Sequence, residues 1–212
     1  FTVFIIEAIG AFILFFEFIK IYPFKRAVFY AMFHSVSAFC NAGFALFTLN
    51  LEDFKGSGII NFAIPLLIFL GGIGFASLLN IFDSIKSRKN KLYLTTKIAL
   101  VISFSLIIIG MILTLVLERN NLGTLAHLSL KDKLLASLFQ SVSTRTAGFN
   151  TIAMGALTAP TLFTYIILMF IGASPGSTGG GIKTTTFGIV ILGVWSTLTN
   201  RQDIEILGIV SS

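Results

Sequence analysis

Two short stretches of the sequence share a pattern that suits the binding of a bare cation by backbone oxygen atoms. Residues 34–44 read His-Ser-Val-Ser-Ala-Phe-Cys-Asn-Ala-Gly-Phe, and residues 140–149 read Gln-Ser-Val-Ser-Thr-Arg-Thr-Ala-Gly-Phe. The glycines of the shared Ala-Gly-Phe, Gly43 and Gly148, lie 105 positions apart. Glycine adopts a positive φ without a Cβ clash, so a turn here can align carbonyl groups that replace the water shell of a cation. Neither stretch holds an acidic side chain, and we therefore predict backbone ligands, not carboxylates.

Uncharged stretches locate the helices that must position these turns. Residues 56–82, 98–117 and 146–182 contain no Asp, Glu, Lys or Arg. A spanning helix needs about 20 apolar residues, so the first two stretches predict one span each, and residues 1–19 predict another. The third stretch is longer than one helix needs and holds a glycine-rich break, after which apolar character resumes at residues 187–198.

Two apolar segments, residues 26–39 and 133–142, precede the Ala-Gly-Phe turns and are too short to span. At 1.5 Å per residue, about 13 residues reach about 20 Å into a hydrocarbon core about 30 Å thick. Length alone fits a re-entrant pore helix or an amphipathic helix lying flat at the interface. The order span, short helix, Ala-Gly-Phe, span occurs twice, and this repetition favours two parallel repeats with re-entrant pore helices.

A basic cluster separates the two repeats. It consists of Lys86, Arg88, Lys89, Lys91 and Lys97. Short loops rich in Lys and Arg stay in the cytoplasm, so the pore helices are expected on the outer side. We divide the chain into a first repeat at residues 1–82, a cytoplasmic loop at residues 83–97, and a second repeat at residues 98–212 whose final helix is broken.

The composition excludes several classes of protein and site. The chain of 212 residues is 55% hydrophobic and 11% charged, against about 25% charged in soluble domains, so a disordered chain, a coiled coil and a nucleic-acid-binding module are excluded. The single cysteine, Cys40, excludes an internal disulfide and a cysteine zinc site. The two histidines, His34 and His127, show no ligand spacing and are interpreted as ordinary polar positions. We expect no cofactor and no metal other than monovalent cations.

The glycine-rich break at residues 172–186 is the second candidate site. It reads Gly-Ala-Ser-Pro-Gly-Ser-Thr-Gly-Gly-Gly-Ile-Lys-Thr-Thr-Thr, and Lys183 is its single charge. Three glycines give hinge freedom, and an ionisable residue within a membrane segment is by default a functional hypothesis. Residues 176–184 are also one residue from the phosphate-loop pattern, but Ile182 separates the glycine from the lysine. A third interpretation is a flexible break that only lets two helices pack differently.

These motifs resemble those of the Trk/Ktr/HKT superfamily of potassium transporters, above all its KtrB-like branch. Residues 38–44 resemble the second selectivity filter of that family, residues 141–150 the third, and residues 172–186 the broken helix that follows the third. The resemblance implies four M1–P–M2 repeats around one pore with pseudo-fourfold symmetry. In that scheme this all-α, polytopic membrane chain supplies the second and third repeats, half of the pore.

The resemblance also implies roles for individual residues. The implied ion ligands are the carbonyls of Asn41, Ala42, Gly43, Phe44, Thr146, Ala147, Gly148 and Phe149. The implied gate is an intramembrane loop that plugs the pore beneath the filter, with Gly176, Gly179, Gly180, Gly181 and Lys183. We expect the two phenylalanines to pack outward as wedges behind the filter. Arg145 is expected to point away from the ions and to support the filter, or else to be a solvated outer charge.

The function expected from these features is inward conduction of potassium across the plasma membrane by a multi-pass protein that is not an enzyme. The resemblance further implies sodium as an assisting ion in some members, a homodimer, and a cytoplasmic regulatory subunit with nucleotide-binding domains. The expected partners are therefore the lipid bilayer, the two other repeats and these subunits, and no nucleic acid. The alternatives are a nucleotide-dependent membrane enzyme that uses residues 176–184 as a degenerate phosphate loop, and a structural membrane scaffold.

Overall fold

The computed structural model describes residues 2–87 and 91–199, and the backbone of two short strands, β1 (Ile204–Ile206) and β2 (Ile209–Ser211). Arg88 and Lys89 of the predicted cytoplasmic loop lie outside the described residues. The helices are α1 (Thr2–Phe18), α2 (Phe24–Phe39), α3 (Gly58–Ile73), α4 (Phe75–Lys86), α5 (Leu94–Glu118), α6 (Leu130–Ser143), α7 (Ala159–Phe170) and α8 (Thr184–Leu198). Every apolar segment assigned to a span or a short helix is helical, which confirms the all-α prediction.

The two short helices start differently. α2 has 16 residues and starts directly after Pro23, which makes no side-chain capping hydrogen bond. α6 has 14 residues and starts after Ser129, whose Oγ accepts a hydrogen bond from the backbone N of Asp132 at 3.2 Å. Each ends immediately before an Ala-Gly-Phe turn, at Phe39 and Ser143.

Matched hydrogen bonds fasten each short helix to the span that precedes it. Ser35 Oγ donates to the carbonyl of Glu7 on α1 at 2.7 Å, and Ser141 Oγ donates to the carbonyl of Ile107 on α5 at 2.7 Å. A Cβ at Gly10 would lie 2.6 Å from Ser35 Oγ, and one at Gly110 would overlap Ser141 Oγ. These two glycines therefore allow the close approach that the serine bonds require.

The second span is not the single helix predicted over residues 56–82. The axes of α3 and α4 are bent by 101° at Gly74, which has a φ of +93°. A Cβ at this position would overlap the carbonyl oxygen of Pro175 in the glycine-rich break, so contact with a distant part of the chain accompanies the bend. Among the described residues only α5 is long and apolar enough to span a membrane alone, and α3 with α4 is so only as a bent pair.

The buried apolar side chains form two clusters. The larger lies among α1, α2 and α3, with Leu14, Phe18 and Ile64 fully buried, and extends across the repeats to α5, α6 and the second turn. The smaller lies among α5, α6 and α7 around Tyr165 and Ala136. Large apolar side chains are nevertheless exposed along the outer face of α5, namely Val101, Phe104, Ile108, Ile112 and Val116. An apolar surface of this extent fits contact with lipid.

Candidate functional site

The turns after α2 and α6 share an uncommon backbone conformation. In the first turn Asn41 has a φ of +51° and Gly43 a φ of +71°, and in the second Thr146 has a φ of +74° and Gly148 a φ of +92°. In both turns the alanine between these two residues keeps a negative φ. A positive φ is a genuine outlier for a β-branched residue such as Thr146, and such outliers concentrate at functional sites.

The two turns lie against each other although they are about a hundred residues apart in the chain. A Cβ at Gly43 would overlap the carbonyl oxygen of Ala147 and lie 2.9 Å from Gly148 Cα. A Cβ at Gly148 would instead lie 3.5 Å from Gly43 Cα, an ordinary contact. The structure thus brings together the two glycines singled out from the sequence, and close packing requires glycine at position 43.

Serines that the sequence analysis quoted but did not assign a role hold both turns. Ser37 Oγ donates to the carbonyl of Phe44 at 2.9 Å, and Ser143 Oγ donates to the carbonyl of Phe149 at 2.5 Å. The backbone carbonyl of each serine also accepts a bond of 2.9 Å from the alanine N–H of its turn. The signal was the Ser-Val-Ser that both repeats carry before Ala-Gly-Phe.

Arg145 points away from the turns and onto α5. It is 7% exposed, and its two terminal nitrogens donate to the carbonyl and the hydroxyl of Ser103 at 3.0 and 3.1 Å. A solvated outer charge, the alternative expectation, does not match this burial.

The two phenylalanines behave differently. Phe149 is 2% exposed and belongs to the larger buried cluster, as a wedge behind the turn would. Phe44 is 69% exposed, so the described residues do not provide the packing expected of a wedge there. Its ring lies beside an open groove along α2, lined by apolar side chains including Phe29, Met32 and Val36, that no described residue covers.

The glycine-rich break folds back on itself between α7 and α8. Ile171 and Ile182 form a parallel bridge at its base, and the N–H groups of Gly172 and Ala173 donate to the carbonyls of Ile182 and Gly180 at 3.1 and 3.0 Å. The break is therefore an ordered loop closed at its base. We call it the gate loop (residues 171–183) after the role that the sequence resemblance implies for it.

The gate loop is docked on the bend between α3 and α4. The N–H groups of Ser174 and Thr178 donate to the carbonyls of Gly72 and Gly71 at 2.9 and 3.3 Å, and the N–H of Phe75 donates to the carbonyl of Gly176 at 3.1 Å. The last carbonyls of a helix lack partners within it, and ending α3 at the bend makes them available to the loop. The sequence predicted a single helix over residues 56–82, and the bend at Gly74 was not predicted.

The gate loop also touches both Ala-Gly-Phe turns. Thr178 Oγ1 donates to the carbonyl of Phe39 at 3.0 Å and accepts from Asn41 Nδ2 at 3.0 Å. A Cβ at Gly179 would lie 2.6 Å from Thr146 Oγ1, whereas one at Gly180 would have no described atom within 4 Å.

The other residues assigned to the gate lie on the same loop. Lys183 Nζ donates to the carbonyl of Gly179 at 2.8 Å. Gly176 and Gly181 have positive φ values of +66° and +77°. The lysine charge is therefore held by the loop's own backbone.

The phosphate-loop alternative lacks its structural context. It requires a buried strand over residues 161–171, and the chain forms helix α7 there (Ala159–Phe170). A phosphate loop connects a strand to a helix, whereas the gate loop connects two helices.

Two further polar residues were missed by sequence reasoning. His34, interpreted as an ordinary polar position, is fully buried, and its ring stacks on Phe47 at 4.9 Å. Its Nδ1 lies 2.7 Å from the carbonyl of Tyr30, and its Nε2 accepts the N–H of Leu46 at 3.3 Å. This ring therefore joins α2 to the chain that follows the first turn.

The second is Glu118, fully buried at the end of α5. Its carboxylate accepts hydrogen bonds from Asn121, Thr124, Thr158 and Thr161 at 2.5 to 2.9 Å, one of them from the backbone N–H that begins α7. It thereby fastens the end of α5 to the start of α7. A carboxylate bordering an uncharged span was the only signal in the sequence.

Comparison with known proteins agrees with this architecture. The chain is 41% identical over 199 residues to the Ktr system potassium uptake protein B of Bacillus subtilis, and 37% identical over 198 residues to that of Vibrio alginolyticus. Both alignments cover 93% of this chain and 44% of the relative, so the chain spans less than half the length of these relatives.

The fold is that of a solved structure, the potassium transporter TrkH from Vibrio parahaemolyticus. The TM-score is 0.72 at 23% identity, and the match covers 96% of this chain and 42% of that chain. This confirms the predicted fold class, an all-α polytopic membrane protein. The family profile described as "TrkH: Cation transport protein" matches residues 1–207. With nearly every residue matched and both turns packed together, the chain belongs to the TrkH cation transport family.

Proposed function

We propose that the complete protein containing this chain takes up potassium through a filter of backbone carbonyls to which the two Ala-Gly-Phe turns contribute. The observation that carries the proposal is the shared alternation of φ sign at positions 41–43 and 146–148 in two touching turns. In an extended strand successive residues face opposite sides, whereas alternation of left- and right-handed residues turns successive carbonyls to one side. Carbonyls arranged in this way can replace the hydration shell of a potassium ion.

The electrostatic setting supports the same proposal. The C-terminal ends of α2 and α6 carry partial negative charge and lead directly into the turns. The one cationic side chain within the turns, Arg145, is bound to Ser103 on α5, which keeps its charge off the ion path and lets it support the second turn. The ligands that we propose are the carbonyls of residues 41–44 and 146–149. The names of the relatives from Bacillus and Vibrio, potassium uptake proteins, favour potassium as the ion.

We assign the gate to the loop of residues 171–183. It contacts both turns through Thr178 and Gly179 and is held by hydrogen bonds that a modest displacement would break. Removing Lys183 and the loop from the path would lower the barrier to a cation. The membrane potential then drives uptake, with about 2.3 kcal/mol per charge for each 100 mV.

The remaining assignments follow from family membership and the length of the relatives. The complete protein would hold two more repeats, sit as a multi-pass protein in the plasma membrane, form a homodimer and bind a nucleotide-binding regulatory subunit. We keep the repeat boundaries at residues 82 and 97, and the Lys and Arg residues of the loop between them favour the cytoplasmic side. Sodium is an additional candidate ion, because a relative from Enterococcus hirae at 35% identity is named a potassium/sodium uptake protein.

Rubidium uptake tests the proposal directly. The complete gene product is produced in cells that lack their own potassium uptake systems, and rubidium entry is measured with competing potassium or sodium. We expect saturable uptake that potassium suppresses at lower concentration than sodium. Uptake no greater than that of cells with an empty vector, when the protein is present in the membrane, would contradict the proposal. A nucleotide-dependent enzyme would instead bind ATP as the purified protein, and we expect no such binding.

A further inference from the structure

The geometry points to Ser37 and Ser143 as positioning residues that set ion selectivity, because each holds the last carbonyl of its turn. This inference rests on the proposed function and deepens it. Both serines are buried, at 6% and 2% exposed, and neither was assigned a role from the sequence. Each serine forms hydrogen bonds with two positions of its turn at the same time, one near the start and one at the end.

Each serine closes its turn at two points. The carbonyl of Ser37 accepts the N–H of Ala42 at 2.9 Å while its hydroxyl donates to the carbonyl of Phe44 at 2.9 Å. The carbonyl of Ser143 accepts the N–H of Ala147 at 2.9 Å while its hydroxyl donates to the carbonyl of Phe149 at 2.5 Å. The glycine of each turn lies between these two hydrogen-bonded residues, and glycine has the widest choice of backbone dihedral angles.

The hydroxyl bond is not a by-product of a fixed loop length. Seven positions separate Ser37 from Phe44, and six separate Ser143 from Phe149. A bond that arose only from local turn geometry would change its partner when a residue is inserted. Here the corresponding serine binds the carbonyl of the corresponding phenylalanine in both repeats, although the loop lengths differ by one residue.

The serine itself has a fixed position. Two residues earlier, the first serine of each pair binds a carbonyl of the preceding span, Glu7 for Ser35 and Ile107 for Ser141. The hydroxyl that binds the turn is therefore linked to α1 or α5 through a serine only two residues earlier in the same helix. A chain of bonds thus runs from each span through the Ser-Val-Ser to the carbonyls of the filter.

The consequence for selectivity follows from what the hydroxyl constrains. A carbonyl oxygen has two lone pairs, so the bond leaves one for an ion and fixes the direction in which it points. Without the bond, the carbonyl and its glycine could rotate toward a smaller ion such as sodium. The number and placement of coordinating carbonyls are the properties on which selectivity for potassium depends.

The test compares Ser143→Ala with a control in the same helix, Ser137→Ala. Ser137 is fully buried on α6, and its hydroxyl has no hydrogen-bond partner among the described residues. Rubidium uptake by the complete gene product is measured with competing potassium and sodium. We expect Ser143→Ala to reduce the preference for potassium over sodium about fivefold, the factor for the loss of about 1 kcal/mol, one hydrogen bond. Ser137→Ala should keep the wild-type preference, and Ser143→Thr, which retains a hydroxyl, should restore most of it.

A second variant, in the other repeat, keeps the test possible if the Ser143→Ala protein fails to fold. Ser37→Ala should shift the preference in the same direction. A wild-type preference in every folded alanine variant of the two serines, or an equal shift in Ser137→Ala, would overturn the inference while leaving potassium uptake intact. Absence of rubidium uptake by the wild type would instead contradict the proposed function, and the inference would fall with it.

Discussion

Substitution of Gly179 by alanine should open the gate loop without unfolding the protein. The added Cβ would lie 2.5 Å from Ala173 Cβ and 2.6 Å from Thr146 Oγ1, both shorter than the contacts that real Cβ atoms make. Ala173 belongs to the gate loop itself, and Thr146 belongs to the turn after α6. The overlap with Thr146 can be relieved if the loop moves away from that turn, because the loop is held there mainly by hydrogen bonds from Thr178 and the bend at Gly74.

The structure sets the size of the effect. Overpacking a well-packed site costs about 1–3 kcal/mol, and the part of this cost that comes from Thr146 falls on the docked loop only. A free-energy difference of that size changes the ratio of undocked to docked loop by about 5- to 150-fold. If the docked loop blocks the ion path, the resting flux of rubidium should rise by a similar factor until the loop is mostly undocked.

The assay measures resting rubidium uptake by the complete gene product carrying Gly179→Ala, and it uses the adjacent Gly180→Ala for comparison. A Cβ at Gly180 has no described atom within 4 Å, so this variant should have a much smaller effect. The amount of protein in the membrane and its thermal unfolding temperature serve as controls for folding. Equal flux in the two variants, with both proteins folded, would refute a docked loop that blocks the path.

Other substitutions test the remaining contacts. Arg145→Gln should lower the unfolding temperature and reduce the preference for potassium over sodium, because Ser103 loses a charged partner; normal selectivity in uptake assays would exclude a supporting role. Glu118→Gln should cost about 3 kcal/mol, since an amide nitrogen would face hydroxyl and amide donors, and a thermal unfolding midpoint in detergent equal to wild type would contradict this. Thr146→Gly should raise that midpoint by removing about 1–2 kcal/mol of strain at a φ of +74°, and a lower midpoint would show that the threonine is not strained. Gly74→Ala should increase resting flux, because its Cβ would overlap the carbonyl oxygen of Pro175 and push the gate loop away from the bend, and wild-type flux would argue against the bend as a docking site.

Much of this fold was predictable because the constraints are local. A membrane excludes charges from spans, so gaps between charged residues located α5 and the start of α3, whereas α1 was located by its apolar composition despite Glu7 and Glu17. The repeat of Ser-Val-Ser and Ala-Gly-Phe located both turns, because a glycine with a positive φ leaves a signature in the sequence. The structure places Gly43 and Gly148 in contact, in agreement with the expectation that they serve one site.

Contacts between distant residues were not predictable in this way. The bend at Gly74 accompanies a contact with Pro175, about one hundred residues later in the chain. The pattern of apolar residues within α3 does not indicate this contact or the bend. Partners of buried polar groups are equally hidden, as with Arg145 and Ser103, which are 42 positions apart. The exposed Phe44 shows the converse, since the residue type predicted burial and only the arrangement of α2 shows an open side.

The selectivity of Gly148→Ser tests the central claim, that the two turns form a cation filter. A side chain at this position meets Gly43 Cα at an ordinary 3.5 Å, so the protein should fold, while the φ of +92° imposes about 1–3 kcal/mol of strain on the turn. Competition of potassium and sodium with rubidium uptake is compared with that of Gly155→Ser, where no described atom would contact the Cβ. The filter predicts a clear loss of potassium preference in Gly148→Ser alone. Wild-type preference in a folded Gly148→Ser protein would contradict it.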